Sequence, residues 1–228
     1  MLMTNVASAI ILFNLTLYQT SFIHMNDLIQ IIKILEPEEI KELNKYIDTL
    51  KFEKSSVFGK TSDTTSDDGF RVDENIRSSI GTTLDETHKS TMNLHSKINL
   101  GLDEYKKRLE KMNNTFYYYP VPGGIDTRSW REGIQILQYK KSEQYIFHHD
   151  AATRTEQKEY HRTISVIVYL NDGFEGGGTS FIHKTFKPKP GYALIFPSNW
   201  CYPHSGQMVE SGIKRVAVTW YYVEQTMN

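Results

Sequence analysis

The chain reads as an α+β protein in which helices come first and many short strands follow. That order suits a β sandwich or closed β-helix buttressed by helices. Three observations predict it. Apolar residues recur at helical spacing up to about residue 112, a turn-rich Pro120-Val-Pro-Gly-Gly124 intervenes, and apolar and polar residues then alternate with period two. At 228 residues the chain suits one domain with a sizeable core.

The elements follow in order. Val6 to Ile23 is apolar around Ala9-Ile-Ile-Leu-Phe13, but Asn14, Thr16, Gln19, Thr20 and Ser21 interrupt it, making a poor membrane span. The first lysine is Lys33, so the basic start expected of a signal peptide is missing. Residues 1–25 are therefore expected to form an extension that packs an extra strand or helix on a cytoplasmic domain. A signal leading to a secreted or ER-type form is the alternative. Residues 26–228 form the single domain, helical over 26–115 and β from about 130 to 225.

Asp27 to Leu35 has apolar residues at helical spacing (Leu28, Ile31, Ile32, Leu35), and Glu36-Pro37 stops that run. Pro37-Glu-Glu opens a second helix to about Leu50, since proline and acids suit a first turn. Ser55 to Asp68 is polar and glycine-containing, a loop that is either a solvated connection or a lid. Leu84 to Met112 reads as helix, broken near Asn99-Leu-Gly101, with Lys106-Lys107-Arg108 on its solvated face. Strands are expected at Ile134–Tyr139, Tyr145–His148, Thr163–Leu170, Thr179–Ile182, Tyr192–Phe196 and Arg215–Val223. Asn171-Asp-Gly and Glu175-Gly-Gly-Gly178 are turns between them.

Charge narrows the partners. Lys and Arg number 26 against 27 Asp and Glu, so no basic excess points to nucleic acid. No segment points to a membrane. The single cysteine, Cys201, excludes an internal disulfide and fits a reducing compartment. It is expected to be a small buried residue.

The chemistry concentrates in Tyr145 to Trp220. His148 and Asp150 stand two residues apart on an extended segment, so their side chains share a face. His204 supplies a second imidazole. Two histidines and one carboxylate on one side of an ion, with the other positions open, is the ligand set of non-heme Fe(II) oxygenases. His149 points to the opposite face, as a packed or solvent histidine. Lys214, on an apolar strand, offers a cation to the carboxylate of a cosubstrate. Arg215, its neighbour, faces the other way toward structure or solvent.

From about Ile134 to Tyr222 the sequence resembles the prolyl 4-hydroxylase-like family of 2-oxoglutarate oxygenases. The matching segments are Gln135-Ile-Leu-Gln-Tyr139, Tyr145-Ile-Phe-His148-His-Asp150, Arg162-Thr-Ile-Ser-Val-Ile-Val-Tyr-Leu170 and Gly176-Gly-Gly-Thr179. His204, Gly212-Ile-Lys214 and Trp220 complete them. The resemblance implies a double-stranded β-helix (jelly-roll) core, with Fe(II) on His148, Asp150 and His204. It implies 2-oxoglutarate held by Lys214 with hydroxyls from Tyr139 and Thr179, and ascorbate as reductant. Tyr145, Arg162 and Trp220 match positions near a peptide-binding mouth, and each can equally be core or rim packing. The implied reaction couples decarboxylation of 2-oxoglutarate, giving succinate and CO2, to hydroxylation of a peptide or protein at proline.

Two departures concern the substrate. Gly178 stands where the prolyl hydroxylases carry Glu, and Ala151-Ala152-Thr153-Arg154 replaces an aromatic-rich segment. Two other readings compete. Nucleic-acid demethylases of the AlkB type carry two arginines, six apart, after the distal histidine, where this chain has Lys214 and Trp220. A non-catalytic β-helix that binds a ligand without turnover is the other.

Overall fold

The computed structural model describes residues 24–58, 70–114, 116, 127–151 and 162–225. The expectations for residues 1–23, for the loop beyond residue 58, for the Pro120–Gly124 hinge and for Ala152-Thr153-Arg154 lie outside these.

In chain order the elements are β1 (Gln30–Lys33), α1 (Pro37–Ile47), β2 (Glu53–Lys54), β3 (Val57–Phe58), β4 (Phe70–Arg71), β5 (Ile80–Thr83) and α2 (Lys89–Met112). The β region then runs through β6 (Thr127–Arg131), β7 (Gln135–Lys140), β8 (Tyr145–His148), β9 (Arg162–Tyr169), β10 (Glu175–Gly176) and β11 (Thr179–Phe181). It closes with β12 (Thr185–Phe186), β13 (Tyr192–Pro197), β14 (His204–Gly206), β15 (Val209–Ser211) and β16 (Ile213–Gln225).

Asp27 to Leu35 is not a helix. After a single 3₁₀ turn at Met25–Leu28, Gln30–Lys33 pairs antiparallel with Tyr192–Ile195 as an edge strand. Four apolar residues fit either period, and pairing with β13 decides between them. The next helix starts where proline and acids place it. Glu36 caps α1, Pro37 opens it, and the Glu36 backbone N–H donates to Glu39 at 2.9 Å. The second helix starts at Lys89 rather than Leu84 and runs unbroken for 24 residues. Gly101 does not break it. A Cβ there would meet Ile34 Cγ2 at 2.8 Å, so the glycine lets α2 lie close on the chain leaving β1.

Eight antiparallel strands form the larger sheet, in the order β1-β13-β9-β16-β7-β5-β2, with β6 also paired to β16. The smaller sheet runs β12-β11-β14-β8. Two apolar layers result. Leu43, Ile47, Leu94, Ile98, Leu102 and Tyr105 of the helices cluster with Ile136, Ile164, Val166, Val168 and Ile195 on one face of the larger sheet. Leu137, Tyr169, Leu194, Phe196 and Val216 on its other face cluster with Phe181 and Phe186 of the smaller sheet. Alternation along each strand feeds both layers. Arg215 ties sheet to helix, donating to Asn44 Oδ1 at 2.7 Å and Asp48 Oδ1 at 2.8 Å. Among the described residues no helix is long and apolar enough to cross a membrane.

Candidate metal centre and its cavity

Two strands of the smaller sheet bring the distant histidines together. β14 pairs antiparallel with β8, and its register sets His204 opposite His148. Their ring centroids lie 4.4 Å apart. Asp150 joins them, with Oδ1 3.4 Å from His148 Nε2 and Oδ2 3.7 Å from His204 Nε2. One ligand atom from each of the three lies within 4.8 Å of the others. The convergence does not come from strand alternation, because β8 ends at His148 and Asp150 follows it without regular structure.

Backbone carbonyls set the tautomers. His148 Nδ1 lies 2.8 Å from Ile146 O and His204 Nδ1 lies 3.2 Å from Tyr202 O. A carbonyl only accepts, so each Nδ1 carries the proton and each Nε2 presents its lone pair to the carboxylate side. Phe196 and Phe181 flank the His204 ring at 4.8 and 5.5 Å. Burial pulls His204 down to about 4, which keeps the imidazole neutral and able to ligate. Burial alone would raise the Asp150 carboxyl, but the His204 and His148 rings outweigh it and hold it well below the usual carboxylate range. Ser165 Oγ donates to Asp150 Oδ2 at 2.7 Å. His149 is exposed at the cavity rim and outside the cluster, the solvent-facing of the two expectations for it.

A second feature faces the same cavity. Lys214 on β16 is 4 % exposed and pairs in register with Tyr139 on β7, its Nζ 5.1 Å from that ring's centroid. Among the described residues no carboxylate pairs with it. Burial alone pushes its ammonium down to about 8. A buried cation without a counter-charge is costly, and a ligand carboxylate would remove that cost. Thr179, buried on the wall of the same cavity, shares a 2.8 Å hydrogen bond with the Tyr169 hydroxyl. Gly177 makes room for the lysine stem. Its φ is +64°, and a Cβ there would sit 3.0 Å from Lys214 Cδ.

The cavity measures about 1500 Å³ and runs from these residues past Tyr145 to Arg162 and Trp220. Tyr145 stacks on His148 with centroids 3.6 Å apart. Arg162 lies over the Trp220 ring at 3.8 Å and makes two hydrogen bonds to Glu132, at 2.6 and 2.7 Å. Tyr222 donates to the same carboxylate. The structure thus gathers every sequence-predicted site residue around one cavity. Sequence reasoning missed Glu132, which neutralises Arg162, and Arg77, which is buried and lies 5.0 Å over the Tyr145 ring. Glu132 sits between a strand end and Gln135, where no periodicity marks it. Cys201 is half-buried rather than buried, its N–H capped by Asn199 Oδ1 at 2.9 Å. At Gly178 a Cβ would meet Gln207 Oε1 at 2.6 Å, so a glutamate has no room unless Gln207 moves.

Residues 134–223 match the 2OG-Fe(II) oxygenase superfamily, and the matched stretch holds all three cluster residues and Lys214. The match covers less than half of the chain, and it is this β region that is similar to the superfamily. A candidate prolyl 4-hydroxylase of Acanthamoeba polyphaga mimivirus is 35 % identical over 107 residues, which cover 40 % of this chain and 44 % of that relative. The chain therefore spans less than half the length of the curated relative it matches. Solved oxygenase structures share the fold. The viral collagen prolyl hydroxylase of Paramecium bursaria Chlorella virus-1, in complex with 2OG, superposes with a TM-score of 0.57 at 20 % identity, covering 86 % of this chain and 96 % of that one. A Trichoplax adhaerens prolyl hydroxylase, in complex with a hypoxia inducible factor peptide fragment, gives a TM-score of 0.57 at 17 % identity, with 86 % and 84 % covered. The two facing sheets share the jelly-roll fold of these structures.

Proposed function

We propose that residues 26–228 form one Fe(II)/2-oxoglutarate-dependent dioxygenase domain that hydroxylates a peptide or protein at prolyl residues, releasing succinate and CO2. One observation carries the reading: a buried ammonium without a counter-ion shares a cavity with a His-Asp-His cluster. The residues fit both groups. His148 Nε2, Asp150 and His204 Nε2 would hold iron on one side, leaving the cavity side open. Lys214 would hold the far carboxylate of 2-oxoglutarate, and Tyr139 and Thr179 would add hydroxyl donors. When bound, iron supplies the O2 chemistry that couples loss of CO2 from 2-oxoglutarate to oxygenation of a C–H bond, and ascorbate keeps it reduced.

The chain's own residues bind, orient and exclude. Phe181 and Phe196 wall His204 from water. Tyr145 and Trp220 line the way to the cluster, and aromatic walls of this kind suit a proline ring. Because Glu132 already neutralises Arg162, that wall offers no spare charge for a free carboxylate. Likeness to the mimivirus relative and to the peptide-bound Trichoplax enzyme supports the peptide substrate class. The lone Cys201 fits a reducing, cytoplasmic setting.

The test is a competition. Protein with Fe(II), ascorbate and 2-oxoglutarate is offered a proline-rich peptide, free proline or a methylated oligonucleotide. Succinate and added oxygen are then followed. The peptide alone should stimulate succinate release and gain one oxygen. Stimulation by free proline or the oligonucleotide, and none by peptides, would overturn the substrate reading. No succinate under any condition would favour a binding module.

A further inference from the structure

We propose that Ser165, held by Ser198, is a positioning residue that fixes the rotation of Asp150 so that Oδ1 is the oxygen presented to the metal. The inference rests on the iron reading above and deepens it.

The hydrogen-bond count leads to it. Ser165 Oγ donates its single proton to Asp150 Oδ2 at 2.7 Å. It also lies 2.8 Å from Ser198 Oγ. With that proton committed, Ser165 can only accept from Ser198, so a directed chain runs from the Ser198 hydroxyl through Ser165 to Oδ2. Both serines are 1 % exposed, and water does not compete for either hydroxyl. Each is anchored by the larger sheet: Ser165 lies on β9 opposite Phe196 and Trp220, and the Ser198 N–H donates to Thr163 O at 2.9 Å.

Asp150 needs such an anchor. It lies beyond the end of β8, so no strand pairing orients it. Its Oδ1 faces His148 Nε2 at 3.4 Å, while Oδ2, which lies 3.7 Å from His204 Nε2, is the oxygen that receives the serine proton. An oxygen already accepting a short hydrogen bond is the poorer donor to an ion, so the chain makes the two carboxylate oxygens unequal. A carboxylate free to rotate would offer either oxygen, or both, and would take up coordination space on the open side.

The experiment titrates the wild-type chain, Ser165→Ala, Ser165→Thr and Ser198→Ala with Co(II) under anaerobic conditions. It records the dissociation constant and the visible spectrum of the bound ion, with circular dichroism melts as a folding control. Ser165→Ala should weaken Co(II) by roughly 10- to 100-fold, the usual loss when a partner of a metal ligand is removed. It should also change the spectrum, because the carboxylate contact changes. Ser165→Thr keeps the hydroxyl and should restore both, and Ser198→Ala should shift both in the same direction by less. A folded Ser165→Ala protein with wild-type affinity and spectrum would overturn the proposal. So would weaker binding with an unchanged spectrum, which marks a merely structural role. Failure of the wild-type chain to bind Co(II) would instead overturn the metal reading beneath it.

Discussion

Replacing Lys214 by Met keeps most of the side-chain volume and removes only the charge. Two opposite effects follow. With its ammonium buried and uncompensated, Lys214 drops from 10.5 to about 8, a differential cost of about 3 kcal/mol to the ligand-free protein at neutral pH. Between these values the unfolded chain binds more protons than the folded one. Stability therefore rises with pH from about 8 to about 10.5, and the full cost applies below that window. Ligand-free Lys214→Met should accordingly be more stable than wild type by about 3 kcal/mol at pH 7, with the gap closing toward pH 10. Binding runs the other way. A buried carboxylate deprived of its cation loses about 3–5 kcal/mol, so the 2-oxoglutarate dissociation constant should rise by roughly a hundred- to several-thousand-fold. Chemical denaturation across pH measures the first effect and anaerobic calorimetry the second. A less stable ligand-free variant, or an unchanged 2-oxoglutarate affinity, would refute the reasoning.

Other variants probe the rest of the site. His204→Ala should abolish binding of a divalent metal, whereas His149→Ala, at the exposed rim, should leave it in place; equal behaviour in a metal titration would mean a wrong ligand set. Glu132→Gln strands the Arg162 guanidinium on the cavity wall, which should destabilise the fold by about 3 kcal/mol on breaking a largely buried pair. It should also let free carboxylates compete with peptide. Unfolding midpoints and inhibition by free proline check the two parts. Gly177→Ala forces a residue with φ +64° to carry a Cβ that sits 3.0 Å from Lys214 Cδ. The expected result is a strain of about 1–2 kcal/mol and a raised 2-oxoglutarate requirement, and a wild-type KM for 2-oxoglutarate would show that the lysine stem has room to spare.

His148, Asp150, His204 and Lys214 were legible as a set: a carboxylate two residues from a histidine is a weak signal alone, and the ordered run of family-like segments, with a lysine inside an apolar strand, gave it weight. What brings them together was less so. His148 meets His204 through a register between β8 and β14, and pairing partners are set by tertiary packing, not by local pattern. Asp150 looked like a strand residue and is instead a loop residue held by Ser165. The Ser198–Ser165 chain and the Glu132–Arg162 pair join residues 33 and 30 positions apart, and neither carries a periodic signal. Gln30–Lys33 was misread as helix because its few apolar residues satisfy both periods, and the edge of β13 was the deciding partner.

The central claim is that His148, Asp150, His204 and Lys214 form one working Fe(II) and 2-oxoglutarate centre. The most direct measurement is succinate formed per oxygen added to a proline-rich peptide, with Fe(II) present and O2 admitted, in wild type and in His204→Ala. The account predicts equal amounts of succinate and added oxygen in wild type, and neither product in His204→Ala. Succinate at the wild-type level from His204→Ala, or none from a metal-loaded wild type offered peptide, would contradict it.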